Sequence, residues 1–448
     1  MTQLRNRYLL ARQAGRERVL ILGLQIRQQQ RHQATVLLAW FEQLTMVNRV
    51  LLRLSLCGLS FWAGAGYSAI APTPTQPLEF AGSQAGAILL ATLADLPPLE
   101  SPPPASDAAS EPEPPAAPEP EPPPMLLVKA VGDIVPGTNY PNNRLHPRGV
   151  ELFRAVRPLL QGADVLFGNL ETTLTRARQP AKDTSRPNVF AFRTPPEYAD
   201  LMAQMGFKVL SVANNHAYDF GEVGFQDTVR HIQAEGMVAV GTTADPVFTE
   251  HKGLRVAWLG YSHTGRDNTS LLNLDGARRA IAAAASQADI TIVSFHGGAE
   301  GSAAQHTRDR TEIFYGENRG NLVQFARAAI DSGADLVLGH GPHVPRALEL
   351  YRGKLIAYSL GNFMGYRTLS TAGPLAYSLV LEVRLDADGN LISGQIHPLF
   401  LKDGGIPFPS PQGDSIRLIR NLTRSDCPNT PLSISEEGSF YPRTAPTP

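Results

Sequence analysis

The chain has 448 residues and a net charge of −1, with 40 Lys and Arg against 41 Asp and Glu, so no global field argues for a nucleic-acid or acidic-polymer partner. Only Cys57 and Cys427 are present, which argues against a disulfide framework and against a cysteine-ligated zinc. Many of the 37 prolines crowd into one stretch, so length overstates the folded part, and one core of about 280 residues is expected.

Residues 1–48 form a basic flank carrying Arg5, Arg7, Arg12, Arg16, Arg18, Arg27 and Arg31, with Glu17 the sole acid among them. They read as a cytoplasmic flank or a mis-assigned start, Met46 being the tidier one, rather than as a nucleic-acid arm. Residues 49–71 read as an export signal. Arg49 and Arg53 precede an uncharged run of 18 residues, 54–71, that closes in small side chains. Its length is marginal for a span, so cleavage and retention as a membrane anchor both stay open. The arginines keep the N-terminus inside and send the downstream chain out of the cytoplasm. Residues 72–124 are rich in Pro, Ala and Glu. Such a segment cannot bury enough apolar surface to offset its ordering entropy and favours extended polyproline II, at about 3.1 Å per residue a spacer on the order of 100 Å. The apolar patch at 85–93 within it reads as a transient helix.

From residue 125 the pattern alternates. Helices are expected at 151–160, 197–205, 222–235, 277–288 and 321–331, interleaved with strands at 126–131, 164–167, 207–212, 237–240, 289–295 and 335–338. Gly206, Gly236 and Gly333 fall just past helix ends, where a left-handed cap needs no Cβ. Alternation of this kind gives crossover units and sheets covered by helices. Beyond His343 the expected elements are strands alone, at 347–350, 354–360, 377–384 and 391–398, so a mixed α/β domain over 125–403 results. Residues 404–448 form a C-terminal extension with one short helix at 416–422 and disorder after Cys427.

Five of the strands end in groups able to hold a metal. These are Asp133 after Gly132, Glu171 in Asn169-Leu170-Glu171, Asn215 in Asn214-Asn215-His216, His296 with Glu300 after it, and His340 with His343. In an open α/β sheet ligands gather at the carboxyl ends of the strands. Carboxylate, amide oxygen and imidazole together suit Mn, Zn or Fe rather than Ca, and two ions sharing a carboxylate can clamp a phosphate. Each residue also has a plainer role: Asp133 as a turn former or helix cap, Asn214 and Asn215 in local turns, His296 as a core histidine, His340 and His343 lining a turn. His216 can donate a proton to a leaving oxygen, with Asp219 orienting it or else capping the helix from residue 222. Gly361 and Asn362 shape a pocket floor, and Asn214, Glu300 and Asn362 are expected to meet substrate. No phosphate-binding Gly-rich loop and no Gly-x-Ser-x-Gly elbow occurs.

Taken in order over roughly residues 128–401, these segments resemble the CapA family of poly-γ-glutamate capsule biosynthesis proteins, a branch of the calcineurin-like metallophosphoesterases. The resemblance rests on Gly132-Asp133, the block ending in Glu171, Ala213-Asn-Asn-His216-Ala-Tyr-Asp219-Phe-Gly221, His296-x-Gly298-x-Glu300, Gly339-His340 with Pro342-His343, and Tyr358-Ser-Leu-Gly-Asn-Phe363. It implies a four-layer α/β/β/α sandwich, an exported or anchored location, and a two-metal centre with Asp133, Glu171, Asn215, His296, His340 and His343 at the ligand positions. Three departures stand out. Val135 replaces a superfamily histidine, the His340 and His343 spacing differs, and Gly297 replaces a usual Trp, which is expected to open the pocket wall. The implied activity is metal-dependent hydrolysis of a phosphoester or polymer linkage in the cell envelope. The alternative is a non-catalytic, membrane-tethered assembly factor that binds the polymer or its synthase complex.

Overall fold

The computed structural model describes residues 124–443. The basic flank, the signal or anchor at 49–71 and the linker up to residue 123 lie outside the described residues. Among the described residues no helix is long and apolar enough to cross a membrane.

Two large sheets are built from sixteen strands. The first eight are β1 (Leu126–Val135), β2 (Val165–Leu170), β3 (Val209–Ser211), β4 (Val238–Val240), β5 (Val247–His251), β6 (Leu254–Ser262), β7 (Ile290–His296) and β8 (Leu336–His340). The rest are β9 (Leu348–Tyr351), β10 (Lys354–Ala357), β11 (Asn362–Gly365), β12 (Tyr377–Leu385), β13 (Leu391–Lys402), β14 (Ile406–Pro409), β15 (Leu432–Ile434) and β16 (Ser439–Pro442). The main helices are α1 (Tyr198–Gln204), α2 (Gly221–Ala234), α3 (Leu274–Ala285), α4 (Leu322–Asp331) and α5 (Asp414–Asp426). The ten-stranded sheet runs β15-β16-β13-β12-β1-β2-β3-β4, with β11 also on β1 and β14 on β13. The six-stranded sheet runs β9-β10-β8-β7-β6-β5. Strands β1 to β4 are mutually parallel, as are β6, β7, β8 and β10.

Side chains alternate across each strand, and that period of two builds the layers. On β6, Val256 and Trp258 join one cluster with Val128, Ala130 and Phe167 of the other sheet, whereas Ala257 and Leu259 join Ile281 of α3 and Phe325 of α4. On β1, Val131 turns the other way, toward Phe153, Met202 and Phe225. The sheets therefore face each other, with helices on both outer faces. Phe167 and Trp258 stack across the middle, centroids 5.8 Å apart and planes at 4°. Fully burying a side chain of this size contributes on the order of 2 to 3 kcal/mol.

The left-handed caps expected at Gly206, Gly236 and Gly333 are present. The helix expected at 151–160 is instead a 3-10 turn, Gly149–Leu152, and a single α-turn, Arg157–Leu160. Pro158 is the cause: it lacks an N–H and its ring collides with the carbonyl four residues back, so only a fresh first turn tolerates it. Strands β5 and β6, paired through residues 251 and 254, are additional to the expected set. The disorder expected after Cys427 is not found, since β15 and β16 follow and structure continues to residue 443. Leu432 and Phe440 enter the inter-sheet core beside Ile416 and Ile419 of α5, and that apolar burial orders the segment. Residues 404–443 thus continue the ten-stranded sheet through β14 and β16, both paired with β13.

Candidate metal centre

Parallel pairing brings the carboxyl ends of the strands to one rim, and register decides which side chains become neighbours there. Asp133 on β1 stands opposite Asn169 on β2 and Asn362 on β11, and His296 on β7 stands opposite His340 on β8. The Asp133 N–H donates to the Gly361 carbonyl at 2.9 Å. That approach is so close that a Cβ on Gly132 would lie 1.9 Å from the same oxygen, so only glycine fits before Asp133. His343 adopts φ 61°, a left-handed conformation uncommon outside glycine, and its turn swings the ring back over Asp133.

The two sheets meet through these residues. Asn169 Nδ2 donates to Asp133 Oδ1 at 2.8 Å and lies 3.3 Å from His296 Nδ1. His343 Nδ1 lies 3.0 Å from Asp133 Oδ2 and 2.9 Å from Asn362 Oδ1, while His340 Nδ1 lies 3.5 Å from Asp133 Oδ1. Glu171 is fully buried, 3.6 Å from His296 Nε2, 3.8 Å from His343 Nδ1 and 3.9 Å from His216 Nε2.

Among these groups six buried side-chain atoms have no hydrogen-bond partner: both Glu171 oxygens, Asn215 Oδ1, His296 Nε2 and both ring nitrogens of His340. An unsatisfied buried polar atom costs about 1 to 3 kcal/mol, and native proteins carry few. Oxygen and imidazole lone pairs crowded in one place are the donor set of a borderline divalent cation. One atom each from Asp133, Glu171 and His343 lies within 4.8 Å of the others. The residues present therefore fit a metal.

The electrostatics reflect the same crowding: without a cation, the protons on His343 and Glu171 offset the charge gathered there. Burial would raise the Asp133 carboxyl, but His340, His343 and the His343 charge outweigh it and hold the group well below the usual carboxylate range. Burial pushes Glu171 up, with His343 opposing. Burial would lower His343, yet the charges of Glu171 and Asp133 push it up to about 10. Burial holds His296 well below its ordinary value, keeping neutral the form that can ligate.

Beside this cluster stands His216. Its Nδ1 lies 2.7 Å from Asp219 Oδ2, which also accepts the Phe192 N–H at 2.6 Å, and its ring packs on Phe192 with centroids 4.4 Å apart. Lys182 Nζ lies 2.6 Å from Asp219 Oδ1 and donates to the Asn215 carbonyl at 2.9 Å. Asp219 does not cap α2, whose N-cap is Phe220 with no side-chain cap. Contacts of 3.9 Å or less thus link Asp133, Glu171, His296, His340 and His343, with His216 reaching Glu171, while Asn215 lines the adjoining cleft. Glu300 borders the same cleft, 3.8 Å from His343 and 2.8 Å from Arg319.

Two expectations change. Asn214 does not face the cleft: its amide donates to Asn169 Oδ1 and the Leu170 carbonyl, its oxygen accepts the His216 N–H, and it is 3% exposed. Gly297 does not open the wall, because a Cβ there would lie 2.8 Å from both the Arg319 carbonyl and Leu271 Cδ2, so neighbours already fill the space. Val135 is fully buried in the core. Asn362 lines the cleft but its oxygen is engaged by His343.

Three further residues belong to the site and lie outside the expected set. Asn169, which precedes Glu171 by two positions, links Asp133, Asn214 and His296. Lys182 sits in a loop without periodicity, and nothing along the chain marks it. His263 follows β6 as another polar strand end, its ring stacked 6.1 Å from His296 and pushed down to about 4, chiefly by burial. The cleft over the cluster has a volume of about 580 Å³ and is lined by Lys182, Phe190, Phe192, His216, Glu300, Tyr315, Arg319 and His343, among others.

The family described as "Bacterial capsule synthesis protein PGA_cap" matches residues 128–366. The chain is 30% identical over 257 residues to the PGA biosynthesis protein CapA of Bacillus subtilis, a match covering 54% of this chain and 63% of that protein. It is 27% identical over 323 residues to the capsule biosynthesis protein CapA of Bacillus anthracis, covering 67% of this chain and 73% of that one. A probable polyglutamine synthesis accessory protein of Mycobacterium tuberculosis is 31% identical over 272 residues, covering 53% and 66%. The chain thus spans less than two thirds of the length of the first and third of these relatives. Among solved structures, a novel phosphatase from Mycoplasma pneumoniae is similar with a TM-score of 0.40 and 14% identity, over 67% of this chain and 99% of that one.

Proposed function

The chain belongs to the bacterial capsule synthesis protein family, and from that premise we propose that it is a metal-dependent hydrolase acting outside the cytoplasm on a phosphoester or polymer linkage during capsule or poly-γ-glutamate-like polymer synthesis. The observation that carries this reading is the gathering of unpartnered Glu171, His296 and His340 atoms beside Asp133 and His343, with the unpartnered Asn215 oxygen on a residue that lines the adjoining cleft. In this reading the facing sheets and flanking helices are the four layers of a metallophosphoesterase, and Asp133, Glu171, Asn215, His296, His340 and His343 hold two divalent ions, of Mn, Zn or Fe type. Bound there, such ions polarise a phosphoryl oxygen and lower the pKa of water.

The side chains do the rest. Asp219 accepts the His216 Nδ1–H, which orients the ring and partly offsets the burial that lowers the imidazole pKa, so Nε2 is the nitrogen turned toward the cluster to pass a proton to the leaving oxygen. Lys182 anchors the other Asp219 oxygen. Phe192 covers one face of the imidazole and limits water there. Residues 49–71 deliver the domain across the membrane and, if retained, anchor it; residues 72–124 space it from that membrane, beside a polymer synthase. The test is to purify the chain, measure its bound metal, and assay an aryl phosphate before and after His216→Ala. Metal-free protein with full activity, or unchanged turnover in the variant, ends the proposal.

Val135 favours a second reading, a non-catalytic factor that binds the polymer or its synthase, because a position that is a histidine in the wider superfamily is here a buried core residue. Replacing Asp133, Asn215 and His216 together by Ala separates the two. Restored polymer production by that variant leaves only the binding role standing.

A further inference from the structure

A second recess lies at the C-terminal end of α5, against β15, and shares no lining residue with the metal cleft. Its volume is about 220 Å³, and three arginines, Arg420, Arg424 and Arg443, line it with Thr423 and Cys427. Their hydrogen bonds go mostly to neutral acceptors. Arg420 Nε donates to the Ile434 carbonyl at 3.1 Å, Arg424 to Asn421 Oδ1 at 2.8 Å, and Arg443 to the Thr430 carbonyl. Only Arg420 meets a carboxylate, Glu436 at 3.5 Å; among the described residues Arg424 and Arg443 form no ion pair.

Neutral acceptors fix the direction of a guanidinium without cancelling its charge. Arg424 and Arg443 are two such groups on one small recess, with Arg420 beside them, and a multivalent oxyanion there meets them through charge-assisted, forked hydrogen bonds. Arginine rather than lysine suits this, since its planar fork matches carboxylate and phosphate oxygens. The recess is also held in shape from behind: Thr423 and Thr430 Oγ1 accept the N–H groups of Leu348 and Leu350 on β9 at 3.0 and 2.8 Å.

We propose that this recess binds an oxyanion carrying two or more negative charges, either a phosphate-type group or adjacent carboxylates of an anionic polymer. The site is independent of the hydrolytic reading and stands whether or not the chain is an enzyme.

The test is titration calorimetry on the full chain, stripped of metal with EDTA so that the metal cleft is no competitor, at low salt. The probes are inorganic pyrophosphate and a penta-glutamate peptide. At least one is expected to bind with one-to-one stoichiometry, with affinity falling as salt rises. Pyrophosphate binding alone assigns the phosphate source, and peptide binding alone assigns polymer carboxylates. Arg424→Glu and Arg443→Glu, both at exposed positions, are each expected to weaken binding about tenfold or more. His216→Ala is expected to leave it unchanged. No binding of either probe, equal affinity in the arginine variants, or loss of binding in His216→Ala overturns the proposal.

Discussion

Asp219 Oδ2 lies 2.7 Å from His216 Nδ1, and this pairing leaves Nε2 as the ring nitrogen turned toward Glu171. Asp219→Asn keeps the shape but removes the charge that stabilises a protonated imidazole and that Lys182 neutralises. Turnover of an aryl phosphate is expected to fall by about two orders of magnitude, the usual contribution of a positioned general acid. Metal content, measured by elemental mass spectrometry, is expected to stay the same. Wild-type turnover in this variant would remove His216 from the chemistry.

Glu171 is buried with both oxygens unpartnered, so its carboxylate is costly until a cation meets it. Saturating Mn at about a hundred times its Kd should raise the unfolding free energy of the metal-stripped chain by about 2.7 kcal/mol, seen as a higher Tm. Glu171→Gln should abolish that rise while leaving the metal-free chain equally stable or more so. A metal-induced rise that survives in Glu171→Gln would show that Glu171 is no ligand.

Asp426 at the end of α5 ties down the loop after Glu300, with His306 Nδ1 at 2.9 Å from Oδ1 and the Thr307 N–H donating to Oδ2 at 2.8 Å. Burial works to raise the carboxyl, but hydrogen bonds from Ser425, His306 and Thr307 outweigh it, and the pKa lies below its ordinary value. Because the folded-state pKa is the lower one, the contribution is present above the unfolded value and lost as pH falls through the folded one. Asp426→Asn is expected to cost about 1 kcal/mol at pH 7, and the gap should close below about pH 4. Urea denaturation at several pH values measures it; a gap that widens on acidification contradicts the assignment.

Burial, foremost, with the charges of Glu349 and Asp426, pushes the Cys427 thiol up to about 12. The reactive thiolate is therefore scarce at pH 8 and enclosed as well. Iodoacetamide should label the Cys427 peptide only after denaturation, as mass spectrometry of native and urea-treated chain will report.

Gly132→Ala places a methyl group 1.9 Å from the Gly361 carbonyl, which Asp133 itself uses. A backbone collision of this depth is expected to cost about 3 kcal/mol or more and to displace Asp133. Loss of metal affinity together with a lowered urea midpoint is the expected pair of results; a variant as stable as the parent would mean that the loop at residue 361 yields freely.

The rim of polar residues was legible because parallel strands are buried on both faces and read as unbroken apolar runs, so a sudden Asp, Asn or His marks where each run leaves the core. Asp133, Glu171, Asn215, His296, His340 and His343 all announce themselves in that way. The alternation of runs likewise foretold helices against sheets. The sequence could not separate Asn214 from Asn215, adjacent residues of one type. The first is consumed by Asn169, 45 positions away, and the second keeps a buried oxygen without a partner. Nor could it show Lys182 reaching Asp219, Phe440 ordering the C-terminal strands, or three arginines meeting around one recess. Patterning along the chain determines what a residue is and which face of its own strand it occupies. Whether its polar atoms are satisfied depends on groups distant in sequence, and only the packing of two sheets against each other decides that.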